Sequence, residues 1–283
     1  MTDSHFNGIV VLDAIPDGEL NTARRLKENL EDISLYVANG LQVRYYHLNT
    51  IDELKSGMAE VLDEIKKSDL MPWLHLEGHG LSDENGFQLA TGGICTWSEL
   101  KEIITPLNVK LGLNLLLILA TCYGGSFARA VRTTDRAPVL GIIGPKQAIK
   151  VGKIEKDFAS FYRTFFESLS LKKALEVLND TAPKDLYFQM TAEHFFYAVW
   201  KSYKRTYCTE QEIENRARRM YREAKSQNLP RTPSIGQLKR LIHSKEMALF
   251  EKYRDTYFMY DIYESNRTRF PVSYREAEIY SKR

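Results

Sequence analysis

Residues 114–122 read NLLLILATC. After Asn114 come six apolar residues with no polar residue at every second position. That is the pattern of a strand buried on both faces rather than half-exposed to water. Working outward, similar short runs recur at Gly8–Ala14 (GIVVLDA), 41–48 (LQVRYYHL), 71–76 (MPWLHL) and 137–143 (APVLGII). Helical periodicity separates them. Residues 17–38 carry Leu20, Ala23, Leu26, Leu30, Ile33 and Val37 at spacings of three or four, and Asn39–Gly40 is placed to end that helix. Thr50 caps a second helix through 67; Ser98 caps a third that reaches 104 and stops at Pro106. A short helix is expected near 127–132, and a long one over 158–178 with Phe161, Phe165, Leu169 and Leu175 on one face. Between the third strand and the third helix, residues 82–97 read as a hairpin around Thr91-Gly92-Gly93. Strands alternating with helices predict an α/β class with a mostly parallel central sheet.

The 283 residues suit one large α/β domain, or a medium domain with an appendage. A hydrophobic share of 43% against 27% charged excludes global disorder and low-complexity architecture. No apolar run approaches the roughly 20 residues of a membrane helix, and no basic segment precedes an apolar one at the N-terminus, so neither a span nor a signal peptide is expected. Three widely spaced cysteines point to a reducing, cytoplasmic compartment. The net charge of +2 conceals a division: residues 201–283 hold 19 Lys/Arg against 11 Asp/Glu, whereas 1–200 hold 20 against 26. Nine of the 16 tyrosines also fall in the last stretch. A domain over 1–200 and a basic, tyrosine-rich helical extension over 201–283 follow, the extension with helices at 210–225 and 235–263 separated by Pro230 and Pro233.

In open α/β sheets functional groups collect beyond the carboxyl ends of the strands. Those ends supply Asp13, Glu77-Gly78-His79-Gly80 and Thr121-Cys122. A thiol and an imidazole on two strand ends suit nucleophilic catalysis, with the thiolate attacking a carbonyl and the imidazole handling the proton. The Gly80 and Cys122 N–H groups are candidates for an oxyanion hole. Cys95 and Cys208 read as structural or surface residues, and Ser126 lacks the Gly-x-Ser-x-Gly elbow of a hydrolase nucleophile. His75, Glu77 and His79 alternate along one strand. Their spacing is not that of a zinc helix, so no metal and no cofactor is expected, and Glu77 is a candidate to orient His79.

The apolar strand ending in Gly78-His79-Gly80, followed 43 residues after His79 by an apolar strand ending in Cys122, resembles the caspase-like cysteine proteases. Within that group Thr121-Cys122-Tyr123-Gly124-Gly125-Ser126 is similar to the metacaspase nucleophile segment, with Tyr123 in place of its histidine. The layout between the two blocks resembles the bacterial CHAT proteases. The resemblance covers about residues 6–200 and implies a caspase-like α/β/α sandwich, with His79 as general base and acid, Cys122 as nucleophile and Gly80 as oxyanion donor. It further implies a protein substrate, activation in trans by a partner or sensor protein, and a place in bacterial antiviral defence. The loop after the first strand forms part of the specificity pocket in caspases; Asp13 and Asp17 there would favour a basic side chain, unless Asp17 merely caps the first helix. The other reading is a catalytically silent caspase-fold scaffold or a nucleic-acid-binding adaptor that uses the basic extension. There Arg216, Arg218, Arg219 and Arg222 cluster, and Tyr253, Tyr257, Tyr260 and Tyr263 recur at helical spacing. Packing of that tyrosine stripe within the protein is preferred to a nucleic-acid surface.

Overall fold

The first seven-residue apolar run, Gly8–Ala14, forms strand β1, and every one of its residues is buried. The computed structural model describes residues 6–36, 40–180, 183, 185–227 and 232–282. Helix α1 (Thr22–Tyr36) leads to β2 (Gln42–His47), α2 (Ile51–Lys67) to β3 (Pro72–Gly80), and the hairpin β4 (Gly86–Gln88) and β5 (Ile94–Thr96) to α3 (Trp97–Lys110). Strand β6 (Leu116–Ala120) is followed by a 3₁₀ turn over Gly124–Ala130, then β7 (Gly141–Pro145), α4 (Val151–Ser168), α5 (Leu171–Asp180) and β8 (Tyr187–Thr191). The sheet runs β2-β1-β3-β6-β7-β8. The first five strands in that order are parallel; β8 pairs antiparallel on β7, and the β4–β5 hairpin adds antiparallel to the end of β3.

Alternation along the strands assigns the two sheet faces. Ile9, Val11, Trp73, Leu116 and Ile118 join one core with α1, α4 and α5. Val10, Leu12, Leu74, Leu76, Leu117 and Leu119 turn the other way and are equally buried. That side takes α2 and α3, which pack on each other and bury Leu54, Met58, Val61, Leu100, Ile104 and Leu107. The protein is therefore an α/β/α sandwich on a mostly parallel sheet.

Several boundaries differ from those read in the sequence, each for a local reason. Helix α1 begins at Thr22, not near 17, because Asn21 accepts the Arg24 N–H as its cap. Its expected end at Asn39 lies outside the described residues. Helix α3 is capped by Thr96 instead of Ser98, and Pro106 is accommodated inside it. The long helix expected over 158–178 is two helices, parted where Leu169 takes a left-handed conformation and its N–H closes on Phe165. The strand expected over 137–143 starts at Gly141, and the helix expected near 127–132 is the 3₁₀ turn, entered through Tyr123 at φ 58°. Strand β3 continues through His79 and Gly80, because those two residues pair with Gln88 and Phe87 of β4.

The chain divides into two compact units, one of residues 1–131 and 137–192, the other of 132–136 and 193–283. The division thus falls after Ala192, eight residues before the composition shift. The second unit is helical: α6 (Ala192–Tyr207), α7 (Glu210–Ser226), α8 (Ile235–Ser244), α9 (Glu246–Tyr257), α10 (Asn266–Arg269) and α11 (Tyr274–Lys282). The single helix expected over 235–263 is interrupted at Lys245. Pro230 lies outside the described residues. Phe196, Trp200, Phe250, Phe258 and Phe270 form the unit's core, with Trp200 and Phe250 rings 4.9 Å apart. Tyr257 and Tyr260 are buried in it, while Arg218, Arg219 and Arg222 are exposed. No described helix is long and apolar enough to cross a membrane.

Candidate active site

Parallel pairing sets His79 and Cys122 side by side in the fold. Glu77 of β3 is in register with Ala120 of β6, so the two chains leave the sheet as neighbours, one toward His79 and the other toward Cys122. Gly80 then lies directly against the Cys122 backbone. A Cβ on Gly80 would fall 1.8 Å from the Cys122 carbonyl oxygen, so no larger residue fits without moving one strand end. The imidazole and the thiol border one cavity of about 310 Å³, with Ile15, Leu20, Ile149, Val151 and Ile154 on its walls.

Each of these two side chains has a defined partner. The Cys122 Sγ is half-buried and receives the Ile149 N–H at 3.4 Å, just ahead of the first turn of α4. The half-exposed His79 bonds through Nε2 to Glu19 Oε2 at 2.8 Å. Glu19 was not singled out in the sequence. It sits in the irregular β1–α1 connection, where no periodicity or motif marks a residue; the only available signal was an acidic residue in a loop that follows a strand end.

Glu77, the expected orienting group, is placed elsewhere. It is buried, with Oε1 3.1 Å from His75 Nε2 and Oε2 accepting from the Thr22 hydroxyl. The other nitrogen of His75 lies 3.0 Å from the Tyr162 hydroxyl, whose pKa burial and the nearby Glu77 charge push well up. Tyr162 thus keeps its proton, and the His75 ring spans the gap between that hydroxyl and the Glu77 carboxyl. Side chains at 75 and 77 thus pair with each other across the pleat, and His79, at the exposed tip, reaches the β1–α1 loop instead.

The two aspartates expected in a specificity pocket do not border the cavity. Asp13 is fully buried and accepts from the Ile15 N–H at 2.9 Å, Asn21 Nδ2 at 2.7 Å, the Tyr45 hydroxyl and His47 Nδ1 at 3.0 Å. Burial and this bond to Asp13 push the Tyr45 hydroxyl up to about 12. Asp13 ties the end of β1 to the neighbouring strand and to the start of α1. Asp17 has a side chain 99% exposed and lies five residues ahead of α1, so it is neither a pocket wall nor the helix cap.

The remaining candidates separate on burial and bonding. Burial pushes the Cys95 thiol up to about 12, which leaves almost no thiolate at neutral pH, and Cys208 is shifted in the same direction, also chiefly by burial. The Ser126 hydroxyl donates to Glu84 Oε2 at 3.2 Å and faces no imidazole among its described partners. Among the described residues no group of three or more His, Cys, Asp or Glu side chains is arranged to hold a metal ion.

No family model and no curated protein matches this sequence. Among solved structures, the chain is similar to the Drosophila initiator caspase Dronc at 13% identity and a TM-score of 0.45, over 68% of this chain and 82% of that one.

Proposed function

We propose that the protein is a caspase-like cysteine endopeptidase with Cys122 as nucleophile and His79 as general base and acid. The observation that carries this reading is the thiol and the imidazole on adjoining strand ends, bordering one cavity. The backbone of Ile149 holds the Cys122 sulfur from two sides, its N–H donating to Sγ at 3.4 Å and its carbonyl accepting at 3.7 Å, and so fixes where the nucleophile sits. With Nε2–H donating to Glu19, the lone pair of His79 resides on Nδ1, which is the nitrogen left to take the thiol proton. Glu19 thereby takes the orienting part first considered for Glu77.

The oxyanion is assigned to backbone donors. Leu81 N–H bonds to Gly86 across the β3–β4 pair, and alternate pairs of an antiparallel ladder exchange hydrogen bonds. His79–Gln88 is then the next bonded pair, and the Gly80 N–H between them turns away from β4, toward the side where β6 lies. Thiolate attack forms a C–S bond and an oxyanion facing the Gly80 and Cys122 N–H groups. Collapse expels the amine, which takes its proton from the His79 imidazolium, and water delivered by neutral His79 then hydrolyses the thioester. Activation by a partner protein is part of the proposal, since the resemblance carries it.

The test is covalent labelling with a peptidyl acyloxymethyl ketone, alone and with co-expressed neighbouring gene products. Selective modification of Cys122 that His79→Ala abolishes is the expected result. Equal modification of Cys95, Cys122 and Cys208 would sink the reading.

A further inference from the structure

Four buried side chains form one hydrogen-bonded chain beneath the site. The Tyr162 hydroxyl of α4 meets His75 Nδ1 at 3.0 Å, His75 Nε2 meets Glu77 Oε1 at 3.1 Å, and Glu77 Oε2 accepts from the Thr22 hydroxyl. None of the four residues is more than 4% exposed. Each contact is a hydrogen bond whichever member of the His75–Glu77 pair carries the proton, so the geometry does not depend on that choice. A buried polar chain is weak evidence for stability, since apolar side chains of the same volume often hold a core as well. What it does supply is a fixed relation between the elements it joins.

The joined elements are the ones that carry the site. Thr22 opens α1, three residues after Glu19, and Glu77 stands two residues before His79 on β3. Tyr162 belongs to α4, and Ile149, just ahead of that helix, holds the Cys122 sulfur. The β1–α1 connection is tied at both ends. Asp13 accepts from the Ile15 N–H and from Asn21 Nδ2, and Thr22 is held by Glu77. Between them the Glu19 N–H closes a turn on the Pro16 carbonyl, with Gly18 at φ 86°. From that turn the Glu19 carboxylate reaches His79 Nε2 at 2.8 Å. We propose that Thr22, Glu77, His75 and Tyr162 are positioning residues: together they fix α1 against β3 and so hold Glu19 on His79, keeping the imidazole in the tautomer that leaves Nδ1 free for the thiol proton. This rests on the peptidase reading. The Thr22–Glu77 bond is where the chain meets α1, so its loss frees the segment that carries Glu19.

Two measurements separate the proposal from the reading beneath it. Nitrogen NMR of the imidazole rings at alkaline pH reads the tautomer of His79 and needs no catalysis. The native protein should show the Nε2–H form. Thr22→Val keeps the shape of the side chain and removes its hydroxyl. It should move His79 toward a mixture of tautomers, as Glu19→Ala does, while Thr22→Ser keeps the native signal. A lower melting temperature with the His79 signal intact is the signature of a purely structural role, and it overturns the proposal. Should Thr22→Val not fold, Tyr162→Phe removes the hydroxyl at the far end of the chain and carries the same expectation and the same refutation. Peptide cleavage is the second measurement. Thr22→Val should lower kcat by about 10-fold or more with KM within about twofold, and adding it to Glu19→Ala should lower kcat no further. Losses that multiply in the double variant would show that Thr22 does not act through Glu19. If no peptide is cleaved under any activating condition the peptidase reading fails, while the His79 tautomer still accepts or rejects the chain as what places Glu19.

Discussion

The two units bury different chemistry. In the sheet unit Asp13, His75, Glu77, Asn108, Asn114 and Asp157 are withdrawn from water, whereas in the helical unit the only buried polar residue among those described is Asn266. The helical unit closes instead on rings, with Phe196 at 5.4 Å from Phe250 and 5.3 Å from Phe258. A parallel sheet ends its strands along one edge, where backbone groups lose their ladder partners and must find others. Asp13, Glu77 and Thr121 stand at that edge, beside the cavity that His79 and Cys122 border, whereas Asn108 and Asn114 lie at the amino end of β6. Helices satisfy their own backbone internally, so the second unit has no such edge and needs apolar contact instead.

The contrast can be broken by substitutions on either side. The largest expected effect is on chemistry: Cys122→Ala and His79→Ala should each reduce peptide cleavage by about 10⁴-fold or more, with little change in melting temperature because neither side chain is a core residue. A large loss of stability in either variant would mean that the strand ends are a structural core and not a site. In the helical unit the order reverses. Phe196→Ala removes a fully buried ring and should cost about 3–5 kcal/mol in chemical denaturation. A cost below about 1 kcal/mol would show that the aromatic cluster is not what holds that unit.

Gly80→Ala addresses the junction of the strands. The added methyl meets the Cys122 carbonyl, so one strand end must shift; a loss of about 1–3 kcal/mol is expected, together with loss of cleavage. Full activity in this variant would remove the Gly80 N–H from the mechanism.

The smallest effect compares two helix caps, one in each unit. Thr96→Ala in front of α3 and Thr209→Ala in front of α7 should each cost about 1 kcal/mol. Only the first cap is reciprocal: Glu99 returns a bond from the Thr96 N–H at 2.8 Å, and this bond with the Thr96 hydroxyl holds the Glu99 carboxyl below its ordinary 4.5. A depressed carboxyl contributes stability above its unfolded pKa and loses it as the pH falls through the folded value. The Thr96→Ala penalty should therefore shrink on acidification below that range, while the Thr209→Ala penalty stays constant. Parallel pH profiles for the two variants would deny Glu99 its part in the cap.

Much of the sheet unit was legible in one dimension. Residues 114–122 announced a buried central strand because an unbroken apolar run admits few other environments, and β6 is completely buried. His79 and Cys122 followed from position alone, since parallel strands deliver their carboxyl ends to one edge. The strand register was not legible, and it decided the details. Gly80 against Cys122, Glu77 opposite Ala120 and β8 antiparallel on β7 are pairings between segments far apart in the chain, and no local pattern encodes them. Roles among carboxylates were hidden for the same reason. In the sequence Asp13, Asp17, Glu19 and Glu77 are equivalent acids near strand ends. Packing makes Asp13 a saturated buried tie, leaves Asp17 in water, turns Glu19 to His79 and bonds Glu77 to Thr22 and His75. Composition and periodicity determine which segments become strands and helices, because those preferences act over a few neighbouring residues. What a charge does depends on which donors surround it in space, and that only the tertiary structure decides.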